Sequence, residues 1–401
     1  MIIGSIVLVT ALGMAMIIWG VPYFFGTSLP APVGGSSGSE MVPAQVTQII
    51  DEGTLNLGGT NQNYQDLQVK ILSGQYQGVT TQVTYGKDQI QPAGLHFGPG
   101  DDILITIGHG ANNQLLGHYS DAMRVRPMLI LLAVFVFALL AVTRWKGVRS
   151  LIALAFSFLM IIGYVIPHIL GGEDPVKVSI IGSMILLVVT LYVTYGWNLK
   201  THASVLSILI VLAVTGIFAW LFIKVAFLTG NGDESALYLV QVPGIKVDLR
   251  GLLLGGMIIG ALGVLDDLVI TQASAVFELH SANPAAALRE LFHQAYRIGQ
   301  DHVASTVNTL VMAYTGVALP MLLLFTVESG NFSQLINLAS VAEEIVRTLV
   351  GSLGLISAVP ISTIIASLLA VYSLRLGILR PFLGSEAGSD LHEHPIPPAA
   401  E

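Results

Sequence analysis

Leu252–Phe277 reads LLLGGMIIGALGVLDDLVITQASAVF. The run is long enough to cross a bilayer, which takes about 20 apolar residues, yet Asp266 and Asp267 stand side by side at its middle. A charge at membrane depth costs roughly 2.5–3.5 kcal/mol on insertion scales, and two together also repel. A chain carries that cost where the pair meets water, a partner, a cation or a proton. This one stretch therefore fixes the fold class, a membrane bundle of α-helices, and marks the first candidate site.

Composition agrees. Of 401 residues, 53% are hydrophobic and 10% charged, against roughly 25% charged in a soluble domain. The mean hydropathy is +0.75. The formal net charge is −8, and the chain lacks the basic patch of a nucleic-acid binder, so no nucleic-acid partner is expected. With no cysteine, disulfides and thiolate metal sites are excluded.

Working outward, further apolar runs occupy Met128–Val142, Leu151–Leu170, Val178–Trp197, Val205–Leu228, Ala304–Val327 and Leu349–Leu374. Another, Ile2–Phe25, has no basic n-region and exceeds a signal-peptide core in length, so residues 1–25 read as an uncleaved anchor. That makes about eight spans, seven of them within residues 127–380. Residues 26–40 form a linker, with GTSLPAPVGGSSGS over Gly26–Ser39, flexible by composition. Residues 381–401 form an acidic, Pro/Ala-rich tail expected to be disordered.

Residues 41–126 differ in character. Leu67–Leu72 (LQVKIL), Thr80–Tyr85 (TTQVTY) and Asp102–Ile107 (DILITI) alternate, with Gly/Asn/Asp clusters such as Asn56–Asn63 between such segments. Period-two alternation between turn signals predicts an inserted small β domain, and a five-stranded barrel is the simplest shape. Lys and Arg in short loops set orientation. Arg144, Lys146, Arg149, Lys200, Arg289, Arg297, Arg375 and Arg380 fall on one side of an eight-span arrangement. Arg124, Arg126 and Arg250 oppose it. The balance puts both termini in the cytoplasm and residues 26–126 outside a bacterial plasma membrane.

Several side chains join the aspartates as candidates. Asp267, Thr271 and Ser274 share one helical face, while Asp266 points about 100° away from Asp267. Asp301, Ser305, Asn308, Met312 and Thr315 share a face of the next span, with Thr309 and Tyr314 beside it and Pro320 expected to kink the helix. Neutral oxygens at that spacing suit a hard cation or a hydrogen-bonded solute; interhelical hydrogen bonds would use them too. Asp301 falls at the expected cytoplasmic edge, where it would cap the helix. Glu343, Glu344 and Arg347 precede the last span, with Glu343 and Arg347 spaced to pair; a solvated helix start and an external gate both fit. Ser357, Pro360, Ser362 and Thr363 predict a broken or kinked segment, the kind transporters use for binding.

The histidines are scattered. His392 and His394 flank Glu393 in the tail, weak as a metal site, and no metal is assigned. There is no G-x-S-x-G elbow, Walker loop or H-E-x-x-H, so no enzyme and no cofactor are expected. The remaining partners expected are the lipid bilayer and a small solute or ion of unknown identity; the Gly256–Gly260 step allows a helix to approach closely, and either a second copy of the chain or a helix of the same chain would use it.

Gly260–Leu279 (GALGVLDDLVITQASAVFEL), Arg297–Pro320 (RIGQDHVASTVNTLVMAYTGVALP) and Glu343–Pro360 (EEIVRTLVGSLGLISAVP) resemble the YibE/F-like family of bacterial multispan membrane proteins. Its most specific parts are the aspartate-bearing glycine-rich helix and the Asn308-Thr309-Leu310 and Ala313-Tyr314 segments. In the family pattern an apolar residue usually follows the first aspartate. Asp267 is this chain's departure, and the resemblance favours Asp266 as the essential carboxylate. It implies architecture more than activity, with efflux as a suggestion. The functional expectation is a proton- or cation-coupled transporter or exporter working through Asp266. The alternative is a scaffold or sensor whose external β domain binds an envelope partner or ligand.

Overall fold

The computed structural model describes residues 40–57, 59–87, 95–109, 115–329 and 332–372. The expected anchor and linker at residues 1–39, and the tail with Arg375, Arg380, His392 and His394, lie outside the described residues. The chain divides into two compact units between Ala138 and Leu139.

The first unit holds the expected barrel. Strands β1 (Glu40–Leu57), β2 (Thr60–Ile71), β3 (Thr80–Tyr85), β4 (Asp102–His109) and β5 (Leu115–Ala122) close in the order β1-β2-β3-β5-β4. Closure removes the free sheet edges that invite aggregation. β1 serves two neighbours, pairing β4 through Glu40–Gln45 and β2 from Ala44 onward. Register shifts after Val46 and Ile49 bend it round the corner. Alternate residues fill the interior: Val42, Ala44 and Val46, Leu67, Val69 and Ile71, then Ile103, Ile105 and Ile107. Tyr85 packs edge-on to Phe97 and Tyr119, at 5.2 and 4.9 Å between ring centroids. Gln65 plugs the barrel like a strand partner: its amide donates to the Phe97 carbonyl at 3.1 Å and its carbonyl accepts from the Phe97 N–H at 2.9 Å.

Burial pushes the Tyr85 phenol above its usual range, and Tyr119 likewise. At the barrel's exit, the Arg124 guanidinium and the Ala122 N–H hold the Asp121 carboxyl below the usual carboxylate range.

The second unit, which the first long helix enters at Leu139, is helical. Six described helical stretches are long and apolar enough to cross a membrane. They come from α1 (Val125–Met160), which continues through a π-helical turn (Ile161–Val165) into α2 (Ile166–Leu170), and from α3 (Pro175–Tyr195), α4 (Leu199–Val225), α6 (Leu249–Ala282), α7 (Leu288–Ser329) and α9 (Ala339–Tyr372). Short α5 (Glu234–Gln241) and α8 (Phe332–Ile336) sit in connections. The two runs expected at Met128–Val142 and Leu151–Leu170 thus join in one stretch, interrupted at Arg144, whose φ is 52° and ψ −125°. The bend is sharp. A Cβ on Gly147 would lie 3.3 Å from the Leu139 carbonyl oxygen, where a straight helix would hold residues so far apart in sequence about 12 Å from each other.

Side-chain caps begin the helices as the backbone requires. Asp174 accepts from the Val176 N–H, Asn198 from Thr201, and Asp248 from Arg250 and Gly251. Asp301 is not a cap: α7 starts at Leu288, well before the apolar window, and Asp301 sits inside it. α7 and α9 stay helical through Pro320 and Pro360, so the segment expected to be broken or kinked at Pro360 is not broken. Val359 is buried there against Gly299 of α7, and packing of this kind lets a membrane helix tolerate proline.

α4, α6 and α9 form the centre, with α3 and α7 against them. Close approaches depend on small residues. A Cβ on Gly255 would meet Ser179 Oγ at 2.3 Å, one on Gly354 would meet Thr215 Oγ1 at 2.5 Å, and one on Gly299 would meet Val359 Cγ1 at 2.5 Å.

Candidate functional site

α6 positions the site. It is 34 residues long, about 51 Å at 1.5 Å per residue, and Asp266 lies near its midpoint. The most apolar stretch of α6 is 61% buried, yet one strip stays open: Gly256, Gly260, Gly263, Asp267 and Thr271 are exposed at helical spacing. Nothing lies within 4 Å of where a Cβ would stand on Gly256 or Gly263. The strip is therefore a shallow furrow with Asp267 in its floor, and the Thr271 hydroxyl donates to the Asp267 backbone carbonyl at 2.7 Å.

Asp266 differs from its neighbour. Its side chain is half-buried, and Oδ1 is shielded from solvent without a hydrogen-bond partner. Tyr195, at the C-terminal end of α3, lies within the electrostatic field of both carboxylates. A shielded carboxylate oxygen lacking a donor is a costly arrangement for a permanent anion. It suits a group that takes up a proton or meets a cation. Among the described residues, no group of three or more His, Asp or Glu side chains could hold a metal ion.

The expected residues of α7 divide. Tyr314 turns inward: a Cβ on Gly260 would lie 3.4 Å from its hydroxyl, and Glu344 and Arg347 are within its field. Asp301, Ser305, Asn308 and Thr309 are all exposed, on the face turned away from the bundle. They do not share a path with Asp266.

The cluster of Glu343, Glu344 and Arg347 is brought together, in a different arrangement from the one expected. Arg347 donates to Glu344, not Glu343. Glu343 is 4% exposed and accepts from the Gly230 N–H at 3.0 Å and the Gly232 N–H at 3.2 Å. It is not a solvated helix start; it clamps the loop between α4 and α5. Gly230 has φ 80°, and a Cβ on Gly232 would collide with Glu343 Oε2 at 2.7 Å. Arg250 adds a bond from Nε to the Leu228 carbonyl at 3.1 Å.

Sequence reasoning passed over Gln272. It is 1% exposed, and its amide donates to the Ala295 carbonyl and to Thr363 Oγ1, both at 2.8 Å, tying α6 to α7 and α9. A lone amide in an apolar run was the available signal. Tyr195 and the Gly230–Gly232 loop gave none.

Neither the curated proteins nor the solved structures give a match to the chain. The profile described as YibE/F-like protein matches residues 131–371. That match opens in α1, closes at the end of α9 and takes in every α6, α7 and α9 residue discussed above. With more than half of its length matched, the chain belongs to the YibE/F-like protein family.

Proposed function

We propose that this protein is a non-enzymatic transporter or exporter that couples an unidentified small solute or ion to a proton or cation through Asp266. Asp267 and Thr271, in the open furrow of α6, form the approach to it. In this reading the chain crosses a bacterial plasma membrane eight times, with Ile2–Phe25 as the first span. The two limbs that meet at Arg144 count separately. The termini are cytoplasmic, residues 26–126 are outside, and Glu343, Glu344, Arg347 and Tyr314 close the outer end.

The supporting observation is the shielded, unpartnered Oδ1 of Asp266 halfway along α6. Ionisable groups at membrane depth mark ion paths and proton relays. The test is purified protein in liposomes with an internal pH dye, wild type beside Asp266→Asn, challenged with a panel of cations and organic anions. A substrate-dependent proton signal that disappears in Asp266→Asn is the expected result. Transport with unchanged pH dependence in that variant would overturn the reading.

A further inference from the structure

α7 meets the bundle along one stripe, Tyr296, Val303, Val307, Leu310 and Tyr314. The opposite stripe is polar and, among the described residues, has no neighbour: Arg297, Asp301, Ser305 and Asn308 are exposed along it. Only 6% of the most apolar stretch of α7 is buried. The hydroxyls beside this stripe are satisfied within the helix, Thr309 donating to the Ser305 carbonyl at 3.1 Å and Thr315 to Val311 at 2.7 Å. The Asn308 carboxamide makes no hydrogen bond among the described residues. An amide in hydrocarbon without a partner costs several kcal/mol, so lipid is a poor neighbour for this face.

We propose that α7 of a second copy of this chain covers it, forming a two-fold dimer with the two α7 helices parallel. Copies inserted in the same orientation present the same residues at the same depth. Ser305, Thr309 and Ala313 recur every fourth position, and a Cβ on Gly316 would meet nothing within 4 Å; small residues at that spacing let two membrane helices touch. Across the two-fold axis Asn308 faces its own copy and can both donate and accept. Arg297 and Asp301 are one turn apart, about 6 Å along the axis, with opposite charge, so each long Arg297 side chain can reach diagonally to the other copy's Asp301, a reciprocal contact of the kind a self-complementary interface makes. The uncharged run Ile2–Phe25 offers neither ion a partner, which favours a second copy as the occupant. The dimer is independent of any role for Asp266.

The chain has no cysteine, so single cysteines report directly in the full-length protein in native membranes. Oxidation should give disulfide-linked dimers with Ser305→Cys and Thr309→Cys and none with the bundle-facing Val303→Cys and Val307→Cys. The Asp301→Arg substitution should abolish cross-linking at Thr309→Cys, and adding Arg297→Asp should restore it to the parental level. A misfolded variant would not be rescued by a second charge change. Three results would overturn the proposal: no dimer at the outward positions; a monomer whose Ser305→Cys thiol reacts with a membrane-impermeant maleimide, meaning water lines the face; or cross-linking of that thiol to an Ala11→Cys or Ala15→Cys thiol of the same chain.

Discussion

Gly255 and Gly256 are adjacent, and changing each to alanine should shift stability in opposite directions. At Gly256 a methyl group enters open space. Alanine is favoured over glycine in a helix by about 0.8–1.0 kcal/mol, so Gly256→Ala should stabilise by up to about that amount. At Gly255 the same methyl arrives 2.3 Å from Ser179 Oγ, 3.0 Å from Ser179 Cβ and 3.2 Å from the Pro175 carbonyl oxygen. The hydroxyl can rotate away. The Cβ and the backbone oxygen cannot, so α3 has to move off α6. Overpacking of this kind costs about 1–3 kcal/mol, which outweighs the propensity gain. Gly255→Ala should be less stable than Gly256→Ala by about 1–3 kcal/mol. Unfolding both variants in mixed micelles of rising denaturing-detergent fraction, followed by circular dichroism, gives the comparison. Equal shifts of the same sign would refute the claim that α3 and α6 touch at Ser179.

Three more outcomes follow from the geometry. Glu343→Ala strips the Gly230 and Gly232 N–H groups of their acceptor, at about 1–3 kcal/mol for each group left unsatisfied; hydrogen exchange over 228–233 should accelerate, and Glu343→Gln, which keeps an acceptor oxygen, should stay near wild type. Gln272→Leu removes two interhelical bonds but leaves Thr363 bonded to the Val359 carbonyl at 2.6 Å, so the same detergent titration should show a loss of about 1 kcal/mol, near the typical 0.6 kcal/mol per membrane contact; no loss would mean the tie is idle. In a soluble fragment of residues 40–124, burial raises the Tyr85 and Tyr119 phenols in the folded state. Their stabilisation is therefore complete below the unfolded value of about 10 and is lost as pH rises through the higher folded values. The melting temperature should fall there and fall less in Tyr119→Phe, and a flat alkaline profile would contradict the burial.

Apolar runs were legible because backbone in lipid must satisfy itself in helices, so Val178–Trp197 and Val205–Leu228 anticipated α3 and α4 closely. Helix starts were not: α7 begins at Leu288 rather than near Ala304, since a helix continues past the membrane where hydropathy gives no sign. Alternation located β3 to the residue, but β5, LLGHYSDA, alternates poorly, with Gly117 on the inward side at a β3 contact too tight for a Cβ. The polar stripe of Asp301, Ser305 and Asn308 was visible by spacing. Which way it faced was not, because in a bilayer neither polar nor apolar character fixes the inward direction as it does in water. Glu343 illustrates the same limit: i, i+4 spacing suggested Arg347, and a glycine loop more than a hundred residues upstream took the carboxylate instead.

The tight seam at Pro175 and Ser179 holds one end of α3. From there the helix runs to Tyr195, about 30 Å at 1.5 Å per residue, with Tyr195 beside the paired carboxylates. The far end is held as well: Leu187 and Leu191 are buried in the core, Tyr192 and His202 share a hydrogen bond of 2.6 Å, and Asn198 donates to the Tyr195 carbonyl at 2.8 Å. Braced at both ends, α3 acts as a strut that fixes the distance between the glycine seam and the carboxylates, so the surroundings of Asp266 are set along the whole helix and not by local contacts alone.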